Sequence, residues 1–169
     1  MFYLIVTHTA KRDNSKITFS SAFPGTIKEF NLDDNHQYFA QKSAFLVADP
    51  TVKVDATVNE NFWAGLFGGE GFIMQKLSGR GIAFIEIDGS AIEYDLSAGE
   101  SIIVDTGYLA AMTASCSMDI VSVPGIKNAL LGGEGLFNTV VKGPGKVILQ
   151  TMPVSKVAAT IGSFIPSKG

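Results

Sequence analysis

The chain has 169 residues, 46% of them hydrophobic and 17% charged, with 18 glycines, 6 prolines and a formal charge of −3. That length buries a sizeable core in one domain, and that composition excludes intrinsic disorder. With Lys11-Arg12 the sole adjacent cationic pair, the sequence lacks the Lys/Arg footprint that neutralises nucleic-acid phosphates, so no nucleic-acid partner is expected.

Residues 2–9 (FYLIVTHT) are apolar and β-branched and read as a strand. Lys11–Ser15 is a polar turn, and Ile17-Thr18-Phe19 opens a second strand. Phe23-Pro24-Gly25-Thr26 reads as a type II turn, with proline setting a negative φ and Gly25 a positive one. Ile27–Leu32 follows as a strand, Asp33-Asp34-Asn35 as a turn, and Tyr38–Ala48 as one long strand that Asp49-Pro50 breaks. Val52, Val54 and Ala56 alternate with Lys53 and Asp55, the period of a half-buried strand. A short helix is expected over Asn59–Ala64, then a strand over Phe72–Leu77.

Ile82–Ile87 is a strand, and Asp88-Gly89 is the strongest hairpin signal in the chain. Strands follow at Ala91–Leu96, Ser101–Asp105, Leu109–Thr113 and Met118–Val123, with a turn at Ser97–Glu100. A second short helix spans Ile126–Leu131. Leu136–Val141, the turn Gly143-Pro144-Gly145 and the strand Lys146–Thr151 come next, and residues 155–164 have helical spacing.

One stretch occurs twice. Leu66-Phe67-Gly68-Gly69-Glu70-Gly71-Phe72 returns 64 residues later as Leu130-Leu131-Gly132-Gly133-Glu134-Gly135-Leu136, and the same offset superposes Gly25 on Gly89 and Asp55 on Asp119. The expected fold is therefore all-β, a double-stranded β-helix or barrel-sandwich built from 64-residue pseudo-repeats. It forms a single domain, with whole units at about 17–80 and 81–144. Residues 2–9 and 145–152 are partial third-unit strands, expected to lie side by side and to leave open edges near a subunit interface.

The Gly-Gly-Glu-Gly motif lacks the G-x-G-x-x-G spacing and the Lys-Ser/Thr of phosphate loops. Gly68, Gly69, Gly71, Gly132, Gly133 and Gly135 are expected to turn helix-to-strand corners, with Glu70 and Glu134 accepting local amide bonds. The other use of these glutamates is as acid, base or ligand group in a pocket. Phe62, Trp63 and Phe67 either cap the β core or anchor a partner subunit. His8 and His36 have no partner at metal-ligand spacing, and no serine sits in a nucleophile elbow. No catalytic residue, metal or cofactor is expected.

Cys116 is the only cysteine, and the apolar run at 2–6 is too short for a span or signal peptide. Both fit a cytoplasmic protein without an integral membrane segment.

The stretches GLFGGEGFIMQKLSGRG, LLGGEGLFNTVVKGPG and SAGESIIVDTGYLAAM resemble the AIM24 family, across nearly the whole chain from Thr9. The resemblance implies a fold similar to the tryptophan RNA-binding attenuation protein superfamily, with three pseudo-repeats. It implies no enzymatic activity or cofactor, and fungal members are linked to mitochondrial inner-membrane organisation. This sequence departs from the family pattern at its N-terminus, where members carry the body of a further unit. The function expected is a non-catalytic scaffold that binds protein subunits, as a homo-oligomer or with other chains. The alternative is a small-ligand binder or enzyme using Glu70 or Glu134. RNA binding rests on fold analogy alone.

Overall fold

The computed structural model describes residues 16–56, 72–122 and 137–165. Twelve strands run through them, followed by one helix. The strands are β1 (Gly25–Leu32), β2 (Tyr38–Gln41), β3 (Phe45–Ala48), β4 (Val52–Ala56), β5 (Met74–Gly79), β6 (Gly81–Asp88), β7 (Ala91–Leu96), β8 (Ser101–Asp105), β9 (Leu109–Thr113), β10 (Ser117–Ser122), β11 (Phe137–Lys142) and β12 (Gly145–Gln150). Among the described residues the fold is all-β apart from the helix at Val154–Ser163 and two 3-10 turns. The expected strand at 2–9 and the helices at 59–64 and 126–131 lie outside the described residues.

Three sheets carry the strands, in the orders β1-β6-β3, β10-β11-β8 and β4-β5-β2-β9-β12-β7. Every pairing is antiparallel. Each ladder of β1–β6 has a counterpart 64 residues on. Leu32↔Gly81 becomes Leu96↔Gly145, Lys53↔Ser78 becomes Ser117↔Lys142, and Tyr38↔Leu77 becomes Ile102↔Val141. Phe45↔Ile85 becomes Leu109↔Leu149, with a register shift at the same place in both ladders. The two halves join where β2 pairs β9, at Tyr38↔Thr113, Phe39↔Met112 and Ala40↔Ala111.

Alternation builds the core in β6, where Ala83, Ile85 and Ile87 are buried and the residues between them are not, whereas β9 is buried at consecutive positions. In β9, Ala110 and Ala111 pack into a cluster with Phe30, Leu77, Ile85 and Ile87, while Leu109 and Met112 join Val104, Val141 and Val147 in a second cluster. A strand that feeds two clusters has both faces covered, and Leu109–Met112 are all buried.

Several expectations are corrected. Tyr38–Ala48 is not one strand. A 3-10 turn at Lys42–Ala44, where Lys42 N donates to Ile73 O at 2.8 Å, swings the chain from the six-stranded sheet into a three-stranded one. Gly25 is not at positive φ. It opens β1 opposite Asp88, and a Cβ there would collide with the Ile87 carbonyl oxygen, so close backbone approach selects the glycine. Residues 16–20 form no strand.

Asp88-Gly89 makes a tight corner (φ 77° at Gly89) but not a hairpin, because β6 pairs β1 and β3 while β7 pairs β12. Nor is Lys146–Thr151 an edge. β12 lies inside the six-stranded sheet between β9 and β7, so both its hydrogen-bonding sides are taken at 147–149, while residues 2–9, expected beside it, lie outside the described residues.

Candidate functional site

Gly68, Gly69, Glu70, Gly71, Gly132, Gly133, Glu134 and Gly135 lie outside the described residues, as do Phe62, Trp63 and Phe67. Their connections are fixed at both ends. Residues 57–71 run between β4 and β5, whose outermost pair is Ala56↔Gln75, and residues 123–136 between β10 and β11, ending at Ser122↔Phe137. Each motif therefore sits on the link between the two strands of an antiparallel pair.

A recess of about 350 Å³ opens at the β2–β9 junction, lined by Asp34, Asn35, His36, Gln37, Tyr38, Thr113, Ala114, Ser115 and Gly145. Asp33 beside it accepts from His36 Nδ1 (2.8 Å) and from the backbone N of Asn35 (2.8 Å) and His36 (2.7 Å). The His36 side chain first, and then those amides, hold the Asp33 carboxyl below the ordinary range. Asp34 pairs with Arg80 and raises its pKa. Thr113 Oγ1 takes the Lys146 amide at 3.0 Å and lies 3.0 Å from Ser115 Oγ, so these hydroxyls serve the fold rather than His36. The recess is a polar dimple closed by its own hydrogen bonds. Among the described residues no group of three or more His, Cys, Asp or Glu side chains converges as a metal site would.

A second charged group ties the sheets together. Glu93 on β7 pairs with Lys28 on β1 and with Lys146 on β12 (3.0 Å), which also meets Asp95 at 3.1 Å. Lys28 first, then Lys146, lower the Glu93 pKa. A carboxylate depressed on folding contributes stability above its unfolded value, and loses it as pH falls through the folded value. Glu93→Gln is therefore expected to cost only about 0.5 kcal/mol at pH 7, as befits pairs open to solvent. In a melting-temperature titration the gap from the parent protein should close on acidification below the ordinary glutamate range. A gap that is constant with pH would contradict this.

The exposure of the strands sets two of them apart. β3 is half-buried at all four positions, whereas the residues of β9 that stand 64 positions further on are all buried. On β8, Ile103 is 65% exposed, while Phe39, its counterpart on β2, packs against the second core cluster. Among the described residues β3 pairs with β6 alone and β8 with β11 alone, whereas β2 and β9 each have two neighbours. β3 and β8 are the candidate interaction face.

A family model described as mitochondrial biogenesis AIM24 matches residues 1–152. The chain belongs to the AIM24 family. That match ends just before the C-terminal helix, whose Lys156 binds Asp105 at 2.8 Å and whose Val154 N donates to Asp88 Oδ2 at 2.8 Å. No curated protein matches. Among solved structures, the crystal structure of protein SPYM3_0169 from Streptococcus pyogenes is similar, with a TM-score of 0.70 and 24% identity over 85% of this chain. At that identity the likeness shows the fold alone. This AIM24-family chain spans 62% of the length of the streptococcal one. Among the described residues, no helix is long and apolar enough to cross a membrane.

Sequence reasoning missed β3 and β8 as a pair. The signal was present, because Phe45–Asp49 aligns with β9 and Ile102–Val104 with β2 at the 64-residue offset. Only the pairing of β2 with β9 gives that alignment a meaning.

Proposed function

We propose that this AIM24-family chain is a non-catalytic β-scaffold that works by binding protein subunits, other copies of itself first. In this reading it is built from two copies of a 64-residue unit, wound as a double-stranded β-helix similar to the tryptophan RNA-binding attenuation protein superfamily. The cytoplasm is the compartment we assign, where a lone buried thiol, Cys116, stays reduced. The observation that carries the reading is the contrast between matched strands: β9 is covered on both sides, whereas β3 at the equivalent position is half-buried. An edge of that kind is a template for another chain.

Light scattering, with mass spectrometry of whatever protein stays bound to the untagged chain, tests the proposal. An assembly larger than one chain at tens of micromolar is expected (roughly where interfaces of ordinary size are populated). A lone monomer with no associated protein would overturn it. Within the same reading, the motif glycines turn corners rather than cradle a ligand. Gly69→Ala and Gly133→Ala are each expected to destabilise by roughly 1–3 kcal/mol, the strain of a backbone conformation that alanine rarely adopts. Unchanged melting temperatures in both would count against the structural role.

A further inference from the structure

Backbone hydrogen bonds fix which residues of β3 and β8 point outward. In an antiparallel ladder, alternate residues exchange both their bonds with the partner and those between turn theirs away. Gly143 N donates to Glu100 O at 3.0 Å beyond the β8–β11 ladder, so Ile102 and Val104 exchange bonds with β11 while Ile103 presents its N–H and C=O outward. Asp49 N donates to Ile82 O at 2.9 Å beyond β3–β6, so Val47 exchanges bonds with β6 and Ala48 faces out. At the junction inside the chain, Ala114 N donates to Gln37 O at 2.8 Å, which makes Phe39 and Met112 an exchanging pair. Moved by 64 residues, Phe39 becomes Ile103 and Met112 becomes Ala48. The two outward-facing residues are thus the two that the internal junction would bond to each other.

We propose that β8 of one copy of this chain pairs antiparallel with β3 of a second copy, with Ile103 opposite Ala48 and Val104 opposite Val47. This repeats the β2–β9 junction across a subunit boundary, and it rests on the reading of the chain as a self-associating scaffold. A second copy is the occupant because it brings both complementary edges in matching phase. No other partner is specified by the chain's own geometry. The edges repel nothing: β3 carries no charge, and the one acid of β8, Asp105, is neutralised by Lys156. Covering Ile103 would bring it toward the burial that Phe39 has beside β9. The junction ends at Pro50, which stands where Ala114 donates inside the chain and has no N–H to give. The contact is head-to-tail, so two copies can close it twice or leave one edge for a further copy.

Cysteine pairs read the register directly. In a Cys116→Ala background, Val47→Cys and Val104→Cys occupy a non-hydrogen-bonded pair of the proposed junction, where Cα atoms lie about 4.5 Å apart, within disulfide reach. Mild oxidation of the two variants mixed is expected to give a covalent dimer that neither gives alone. Ile103→Lys, on a side chain already in water, is expected to keep the monomer's melting temperature. It should raise the dissociation constant of the assembly at least tenfold by placing a charge in the junction. Covalent dimers from Val104→Cys alone would overturn the proposal in favour of β8 pairing with itself. An assembly that persists without mixed dimers, or that Ile103→Lys leaves intact, would overturn this junction and spare the scaffold reading. A monomer throughout would overturn both.

Discussion

Ile85→Ala is expected to destabilise the protein by about 3–4 kcal/mol, whereas Ile103→Ala in dilute solution should change its stability by no more than about 0.5 kcal/mol. Both isoleucines sit on strands, in apolar runs that read alike: Phe84-Ile85-Glu86-Ile87 on β6 and Ser101-Ile102-Ile103-Val104 on β8. Ile85 has no exposed surface and packs with Phe30, Leu77, Ala83 and Ile87 between the sheets. Removing three carbons there forfeits the transfer term and leaves a cavity that rigid strands on either side cannot fill. Ile103 is 65% exposed, so its truncation empties nothing. Urea unfolding at low protein concentration decides the matter. Equal losses at the two sites would mean that β8 is covered within one chain, and would remove the basis for treating it as an interaction edge.

That pair of isoleucines also marks how much was legible in the sequence. Strand existence was, because β-branched residues at period 2 between Gly, Pro, Asn and Asp clusters encode it locally. The bounds of β4, β7 and β9 follow from such patterns. Partner choice was not. Asp88-Gly89 carries a local hairpin signal, yet β6 and β7 belong to different sheets, since the partners of each lie far off in sequence: β1 for β6, and β12 for β7. The turn at Lys42–Ala44 contains neither Gly nor Pro, and its bond to Ile73 O is tertiary, so the chain's bend there had no local mark. β12 looked like an orphan because its sequence matches the start of a unit. The structure gives it two neighbours. As for the candidate site, the duplicated Gly-Gly-Glu-Gly motifs drew the eye by sequence alone, while β3 and β8 become visible only when matched strands are compared for burial.

Gln150→Leu should cost about 2–4 kcal/mol, although leucine nearly matches glutamine in volume and brings more apolar surface. Gln150 is buried at the end of β12, and its amide serves three groups. Nε2 donates to Gly107 O at 2.9 Å and to Gln41 Oε1 at 3.3 Å, and Oε1 accepts from Asp88 N at 3.2 Å. Asp88 and Gln41 belong to the first half of the chain, Gly107 and Gln150 to the second, so one side chain stitches the halves where the β2–β9 junction already joins them. Leucine would strand a backbone N–H and a backbone C=O in a site from which water is largely shut out, each at about 1–3 kcal/mol, partly offset by its extra apolar area. The matched position 64 residues earlier holds Glu86, a half-exposed carboxylate that accepts from Ala22 N at 3.1 Å. Glu86→Leu should therefore cost less than about 1 kcal/mol, since water replaces the lost acceptor. Chemical denaturation of the two variants side by side measures the difference. A Gln150→Leu protein as stable as its parent would mean that apolar packing alone joins the halves. The same packing would then serve between copies, where no such amide reaches across β3 and β8.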